Sequence, residues 1–347
     1  MDVASANEGP NANEGPNANE STIIVIAEDG DLIIEVIEYD VVRAIGTRAP
    51  VLGPKSSASF QVSRAKLAEH SNFFSKLLLG QWKEANHKAI TLEKDNITSM
   101  GLWFRLMHSN LSSIHLEDVS VVEMWHVIVA CDKYGLDGTQ MDPWFSKWWD
   151  AKSEEILLDC LLWCEALYPC YYFHCAAGFR ILTKELVYES TDYITTKTNP
   201  IHHHQTHLHL PARVIQKLNE KRGCLRNIIH DRLCSPIQNL AATRACKCRE
   251  QIMSTYIKEL TRIGVSPLEP TFRRRSIRKM LQHLEEFNES NVPKKSCDNY
   301  HCSYNWSSEL GAIVANTRSE AENRFLGLAL DFDRKEETRH GRGWPCF

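Results

Sequence analysis

A change of hydrophobic period constrains this chain most: β-rich runs near residue 30 give way to almost wholly helical spacing beyond residue 140. Ile23, Ile24, Val25 and Ile26 precede the polar turn Glu28-Asp29-Gly30-Asp31, and Leu32-Ile33-Ile34-Glu35-Val36-Ile37 follows it. β-Branched residues suit a pleated surface, and Asp-Gly suits a tight turn. The two runs therefore read as a hairpin or as a strand with a leading arm. Residues 46–59 (GTRAPVLGPKSSAS) are rich in Gly, Pro and Ser and read as a loop. Sheet elements in one part and helices in the other predict an α+β chain.

Residues 60–80, FQVSRAKLAEHSNFFSKLLLG, carry the next signals. Phe60-Gln61-Val62 alternates as a short strand. Ser63 and Ser71 are candidate helix caps, with Leu67 behind the first and Phe73, Phe74, Leu77 and Leu78 behind the second. Gly80 stands where a helix stops. Ala89-Ile90-Thr91-Leu92 is a further strand, and Glu93-Lys94-Asp95 leads into a helix through Met100, Phe104 and Met107. Another helix spans Val119 to Tyr134 and ends at Gly135. Helices are then predicted over 143–150, 153–168, 171–189, 211–234, 236–262, 272–288, 309–316 and 319–330, with a Thr/His/Pro loop at 190–210.

Residues 6–20 repeat ANEGPN twice and begin it again, with no apolar position to bury, so residues 1–21 read as a disordered tail. The remainder divides at about 22–140, 141–290 and 291–347. At 43% hydrophobic and 24% charged residues, with a net charge of −4 over 347 residues, the chain has ordinary globular composition. That charge supports neither wholesale nucleic-acid binding nor an acidic decoy. The first residues, MDVASANEGP, lack a basic region followed by an apolar core, and no apolar run reaches the roughly 18 residues of a membrane span. The twelve cysteines are scattered without a CxxC pair, which fits reduced thiols in the cytosol or nucleus better than a disulfide framework.

Several clusters raise chemical readings. His202, His203, His204, His207 and His209 could take a divalent metal, but consecutive histidines in a loop lack fixed geometry, so a solvated loop is favoured. Cys246, Cys248, His301 and Cys302, with Cys297, offer soft ligands for tetrahedral zinc. Against this, the spacings match no recognised finger, and a Cys-x-Cys on a helix splays its side chains by about 200°. Buried thiols are the favoured alternative. Cys160 and Cys164 lie one helical turn apart beside Trp163, where core packing outweighs a redox pair. Trp144, Phe145, Trp148 and Trp149 form a stripe read as packing of the helical region against the first domain, ahead of a peptide groove. The basic run Phe272-Arg273-Arg274-Arg275-Ser276-Ile277-Arg278-Lys279 reads as a nuclear-import signal, a phosphate contact or a solvated helix face. Glu154-Glu155 is placed at an exposed helix start. With no GxSxG, GxxxxGK[ST], GxGxxG or HExxH, no catalytic residue and no cofactor is expected.

In series, the motifs over residues 28–138 resemble the BTB/POZ domain, in the version found in fungal proteins of no assigned activity. The resemblance rests on Asp29-Gly30-Asp31-Leu32, Phe60-x-Val62-Ser63, then Leu67, Ser71, Phe74 and Leu77-Leu78. It continues through Trp82-Lys83-Glu84, Ile90-x-Leu92 with Asp95, Leu106-Met107-His108, and Ala130-Cys131-Asp132-Lys133-Tyr134-Gly135. Departures are a long connection over residues 38–59 and Val62-Ser63 where many animal members have Ala-His. The resemblance implies a small sheet against helices, followed by a mostly helical region, and a non-enzymatic role in binding proteins. Homodimerisation, recruitment of a cullin-type ubiquitin ligase scaffold through helices corresponding to 96–134, and transcriptional repression in the nucleus are the roles it brings with it.

Overall fold

Four strands and twelve α-helices make up the described part of the chain, which is mostly helical. The structure, a computed structural model, describes residues 23–42, 51–111, 115–195, 200–201, 208–242, 248–293 and 305–332. Contacts divide the chain into two compact units. One runs up to Ser113 and includes Asp132–Leu136; the other comprises Ile114–Cys131 and the chain from Asp137 onward. Ile114–Cys131, grouped with residues 22–140 in the sequence reading, thus packs with the second unit.

The first unit is built on a mixed sheet of strands β1 (Ile23–Val25), β2 (Leu32–Val42), β3 (Val51–Val62) and β4 (Ala89–Glu93), in the order β1-β3-β2-β4. β1 does not pair with β2. It lies parallel to β3, with Ile24 opposite Phe60, so the leading-arm reading holds and the hairpin reading fails. The alternation of β2 puts Leu32, Ile34 and Val36 in the core.

Of the loop expected at 46–59, residues 51–59 are strand, a correction to the sequence reading, while residues 46–50 lie outside the described residues. Val51–Val62 pairs antiparallel with β2 from Val42↔Val51 to Leu32↔Val62, with a register shift at Glu38/Tyr39. Glu38 faces Ser56 and Tyr39 faces Pro54, leaving Lys55 as the extra residue of a bulge, its Nζ donating to Glu38 Oε1 at 3.1 Å. Pro54 is tolerated because, among the described residues, β1 covers only Ser59–Gln61 of β3 and leaves Pro54 without a strand on that side.

Of helices α1 (Arg64–His70), α2 (Asn72–Leu79) and α3 (Ile97–Met107), α3 packs on β2 and β3, α1 on α3, and α2 on α1. Ser71 caps α2 as expected, accepting from Phe74 N–H at 3.2 Å. Ser63 precedes α1 without a side-chain cap; instead its N–H donates to His108 Nε2 at 2.9 Å. The His108 ring accepts there, and its Nδ1 lies 2.7 Å from Phe104 O, which it serves as donor. That is the neutral tautomer, in keeping with a pKa that burial lowers from the ordinary histidine value. Phe60 and Phe104 meet edge to face, 5.3 Å apart, and each such buried side chain contributes about 1.5–3 kcal/mol.

The second unit holds most of α4 (Val121–Tyr134) with α5 (Asp142–Leu158), α6 (Cys160–Tyr172), α7 (Ala176–Glu189), α8 (Ala212–Ala242), α9 (Arg249–Arg262), α10 (Leu268–Arg274), α11 (Ile277–Glu285) and α12 (Trp306–Arg324). Ser120 and Glu123 form a capping box at the start of α4. Several helix boundaries differ from the expected ones. α6 runs through Pro169, which cannot donate to Glu165 O; the indole of Trp125 takes that carbonyl at 2.8 Å and removes the penalty for the break. α8 likewise runs on through Pro236. The two closing helices expected at 309–316 and 319–330 are one helix, α12, anchored where Tyr188 Oη donates to Ala321 O at 2.6 Å.

Candidate functional site

Within the first unit, one segment is held rigidly while its large apolar side chains stay in solvent. Arg64, at the start of α1, holds it. Its Nη1 donates to Ala85 O at 2.9 Å and Nη2 to His87 O at 2.6 Å, while its backbone N–H donates to Asp31 Oδ1 at 2.8 Å. A planar guanidinium suits such a multi-carbonyl grip, since its donors are fixed in a fork. The gripped segment contains the 3₁₀ turn Lys83–Asn86 and follows directly from α2. At the junction, Gly80 leaves no room for a side chain: a Cβ would lie 2.2 Å from Lys76 O.

On this frame Leu79 is 64% and Trp82 65% exposed, flanking Gly80, and Phe73 is 41% exposed at the other end of α2. Lys76, Gln81 and Lys83 around them are exposed as well. Isolated exposed apolar residues are ordinary on a surface. A Trp and a Leu three positions apart, on a backbone fixed by an arginine and rimmed by polar side chains, have the make-up of a protein-binding anchor. In the sequence, Trp82-Lys83-Glu84 carries only part of the family resemblance and marks no binding residue. A signal was present, because Leu79 falls off the stripe set by Phe74 and Leu78, so a helix with its core face already supplied turns Leu79 outward.

A buried polar cluster supports the opposite end of α2, where Phe73 lies. The Asp95 carboxylate, 5% exposed, accepts from Lys133 Nζ at 2.7 Å and from Tyr134 Oη at 2.5 Å. Ser71 Oγ donates to Tyr134 O at 2.7 Å, and the Tyr134 ring stacks on Phe74 and meets Phe73 edge-on. Burial, and then the hydrogen bond to Asp95, push the Tyr134 phenol far above its ordinary pKa. The Asp132-Lys133-Tyr134 ending of α4 is thus a brace for α2, not a reactive site.

The other sequence candidates resolve as follows. Trp144, Phe145, Trp148 and Trp149 are all buried within the second unit, Trp148 Nε1 donating to Val119 O at 2.8 Å, so the stripe is interior packing and no open groove. Glu154 and Glu155 lie in the last turns of α5, not at a helix start, and Glu155 pairs with Lys152. Cys160 is exposed and Cys164 partly buried. Of the proposed zinc ligands, Cys248 is buried at the N-terminal boundary of α9, whereas Cys246, Cys297, His301 and Cys302 lie outside the described residues. His202, His203, His204 and His207 lie outside them too; His209 is exposed. Among the described residues no group of three or more His, Cys, Asp or Glu could hold a metal ion, and no helix is long and apolar enough to cross a membrane.

The basic run is partly structural. Arg275 Nη1 donates to Gly264 O at 2.7 Å, and Arg278 bridges Glu185 and Glu189 on α7. Arg273, Arg274 and Lys279 remain exposed, Arg273 pairing with Glu269 in a setting where such a pair contributes little. Comparison with protein-family models, curated proteins and solved structures finds no match for this chain.

Proposed function

We propose that this chain is a non-enzymatic interaction protein whose first unit is a BTB/POZ-like module that binds a second copy of itself or another protein through Leu79, Trp82 and Phe73. The observation that carries the reading is the exposure of Leu79 and Trp82 on a segment whose backbone Arg64 holds in place. The order of strand, two short helices, strand and helix over residues 51–107 supports the family resemblance. A pre-ordered anchor loses little freedom on binding, which is what an interface needs and what a random exposed Trp lacks. Recruitment of a cullin-type ubiquitin ligase scaffold is one form this binding takes in modules of that family. Sedimentation of the wild type against Leu79→Asp/Trp82→Glu separates the two occupants. Self-association gives twice the chain mass for the wild type and a single chain mass for the variant. Equal masses for both would dismiss this surface as the self-association interface.

A narrower second reading, a nuclear regulator of transcription, draws support from the exposed cations Arg273, Arg274 and Lys279. Changing these three to alanine, while keeping Arg275 and Arg278 for the fold, is expected to move a fluorescent fusion from nucleus to cytoplasm. An unchanged distribution would remove the reading.

A further inference from the structure

Helix α6 ends in a turn that brings two thiols together. His174 adopts φ +50°, a left-handed conformation more often given to glycine. Around it, Cys175 N–H donates to Cys170 O at 2.9 Å and His174 N–H to Tyr171 O at 3.4 Å. These six-to-one and five-to-two bonds define a Schellman turn, whose first and last side chains commonly pack together. Here those two positions are Cys170 and Cys175. A backbone bond between two residues holds their Cα atoms within the roughly 4.4–6.8 Å that a disulfide spans.

Two further features distinguish this pair from cysteines that merely fill space. Gly178, early in α7, leaves room for the inner sulfur, because a Cβ there would lie 2.6 Å from Cys170 Sγ and 2.8 Å from Trp149. The two environments also differ. The neighbouring Cys170 thiol, then the Gly178 and Ala177 amides at the start of α7, lower the pKa of Cys175 below the ordinary thiol value. Burial raises the pKa of Cys170, so of the two sulfurs Cys175 is the one that ionises more readily. Cys175 is buried, but its neighbours His174, Ala176 and Ala177 are exposed, which leaves it one layer beneath the surface.

We propose that Cys170 and Cys175 form a dithiol oxidised by hydroperoxides, with Cys175 attacking the peroxide and Cys170 closing the disulfide. The Cys175 thiolate attacks one peroxide oxygen; the O–O bond breaks, an S–O bond forms, and the departing hydroxide (alkoxide from an alkyl hydroperoxide) takes up a proton as water or alcohol. Cys170 sulfur then displaces the hydroxyl of the resulting sulfenic acid. The S–S bond forms, the S–O bond breaks, and the Cys170 proton leaves with the hydroxyl as water. Two electrons pass from sulfur to oxygen, and a small thiol reverses the bond by exchange.

The test uses the full reduced chain treated with hydrogen peroxide, then alkylated, cut with chymotrypsin between the two cysteines and mapped by mass. The expected product is a pair of peptides joined through Cys170 and Cys175, lighter by two hydrogens than the separate thiols and released by dithiothreitol. With Cys170→Ser, Cys175 is expected to accumulate as a sulfenic acid trapped by dimedone. With Cys175→Ser, Cys170 is expected to remain fully alkylatable. The wild-type map requires no variant to fold. Recovery of both residues alkylated at a peroxide level that oxidises the exposed Cys160, or a bridge mapped to Cys160 or Cys164 instead, would overturn the proposal.

Discussion

Replacing Asp95 with alanine is expected to lower the stability of the first unit by about 3 kcal/mol, as measured by urea denaturation. The carboxylate is the shared acceptor of Lys133 Nζ and Tyr134 Oη, and Tyr134 is itself 2% exposed. Removing it strands a buried hydroxyl, at about 1–3 kcal/mol, and deletes charge-assisted hydrogen bonds of about 1.5–3 kcal/mol, part of which Lys133 recovers in water because it is 43% exposed. Tyr134→Phe deletes one donor and leaves the carboxylate with its ammonium partner, so the expected cost is smaller, about 1–2 kcal/mol. Because both changes act on one bond, their effects should combine to less than their sum. A loss below about 0.5 kcal/mol for Asp95→Ala, the range of an ordinary surface change, would mean that the cluster does not brace the unit.

The second large effect concerns acid stability of the second unit and centres on Glu259. Arg262 holds this buried carboxylate with Nε at 2.9 Å and Nη2 at 2.6 Å, while Asn288 N–H and Asn291 Nδ2 each donate at 2.9 Å. The Arg262 bonds first, then the Asn288 and Asn291 donors, bring its pKa down to about 2 against an ordinary 4.5. A carboxyl whose folded pKa lies below its unfolded value stabilises the fold fully above the unfolded value. That contribution, about 3 kcal/mol, is lost as pH falls from about 4.5 towards 2. Glu259→Gln removes the charge and is expected to flatten the acid arm of the stability curve in that window while lowering stability at neutral pH. An acid arm as steep in Glu259→Gln as in the wild type would show that other groups carry it.

Much of the first unit could be read directly from side-chain chemistry. The alternation of β2, the Ser71 cap and the stop at Gly135, whose φ is +57°, are local signals that tertiary packing leaves in place. The strand at 51–59 was hidden for a physical reason. Gly53, Pro54, Ser56 and Ser57 disfavour a strand individually, and only pairing with the whole length of β2 outweighs them. Pro169 misled similarly: a proline in a helical pattern marks a break unless a distant donor such as the Trp125 indole satisfies the carbonyl it orphans. The bonded setting of Glu259 was not legible in the residues around it, because two of its donors come from about thirty positions on. The apolar surface was legible only in part. Leu79 lies off the stripe of α2, but the grip of Arg64 on the following segment depends on carbonyls that no residue pattern announces.

The protein-binding role of the first unit is tested most directly by quantitative affinity capture with two baits, the wild-type chain and Leu79→Asp/Trp82→Glu. Both positions are about two-thirds exposed, so the substitutions are compatible with an intact fold, which circular dichroism checks. The expected result is a protein, either an untagged copy of the same chain or a distinct partner, held by the wild type and reduced at least tenfold by the double substitution. Identical captured sets at equal yield for the two baits would contradict the assignment of this surface to protein binding.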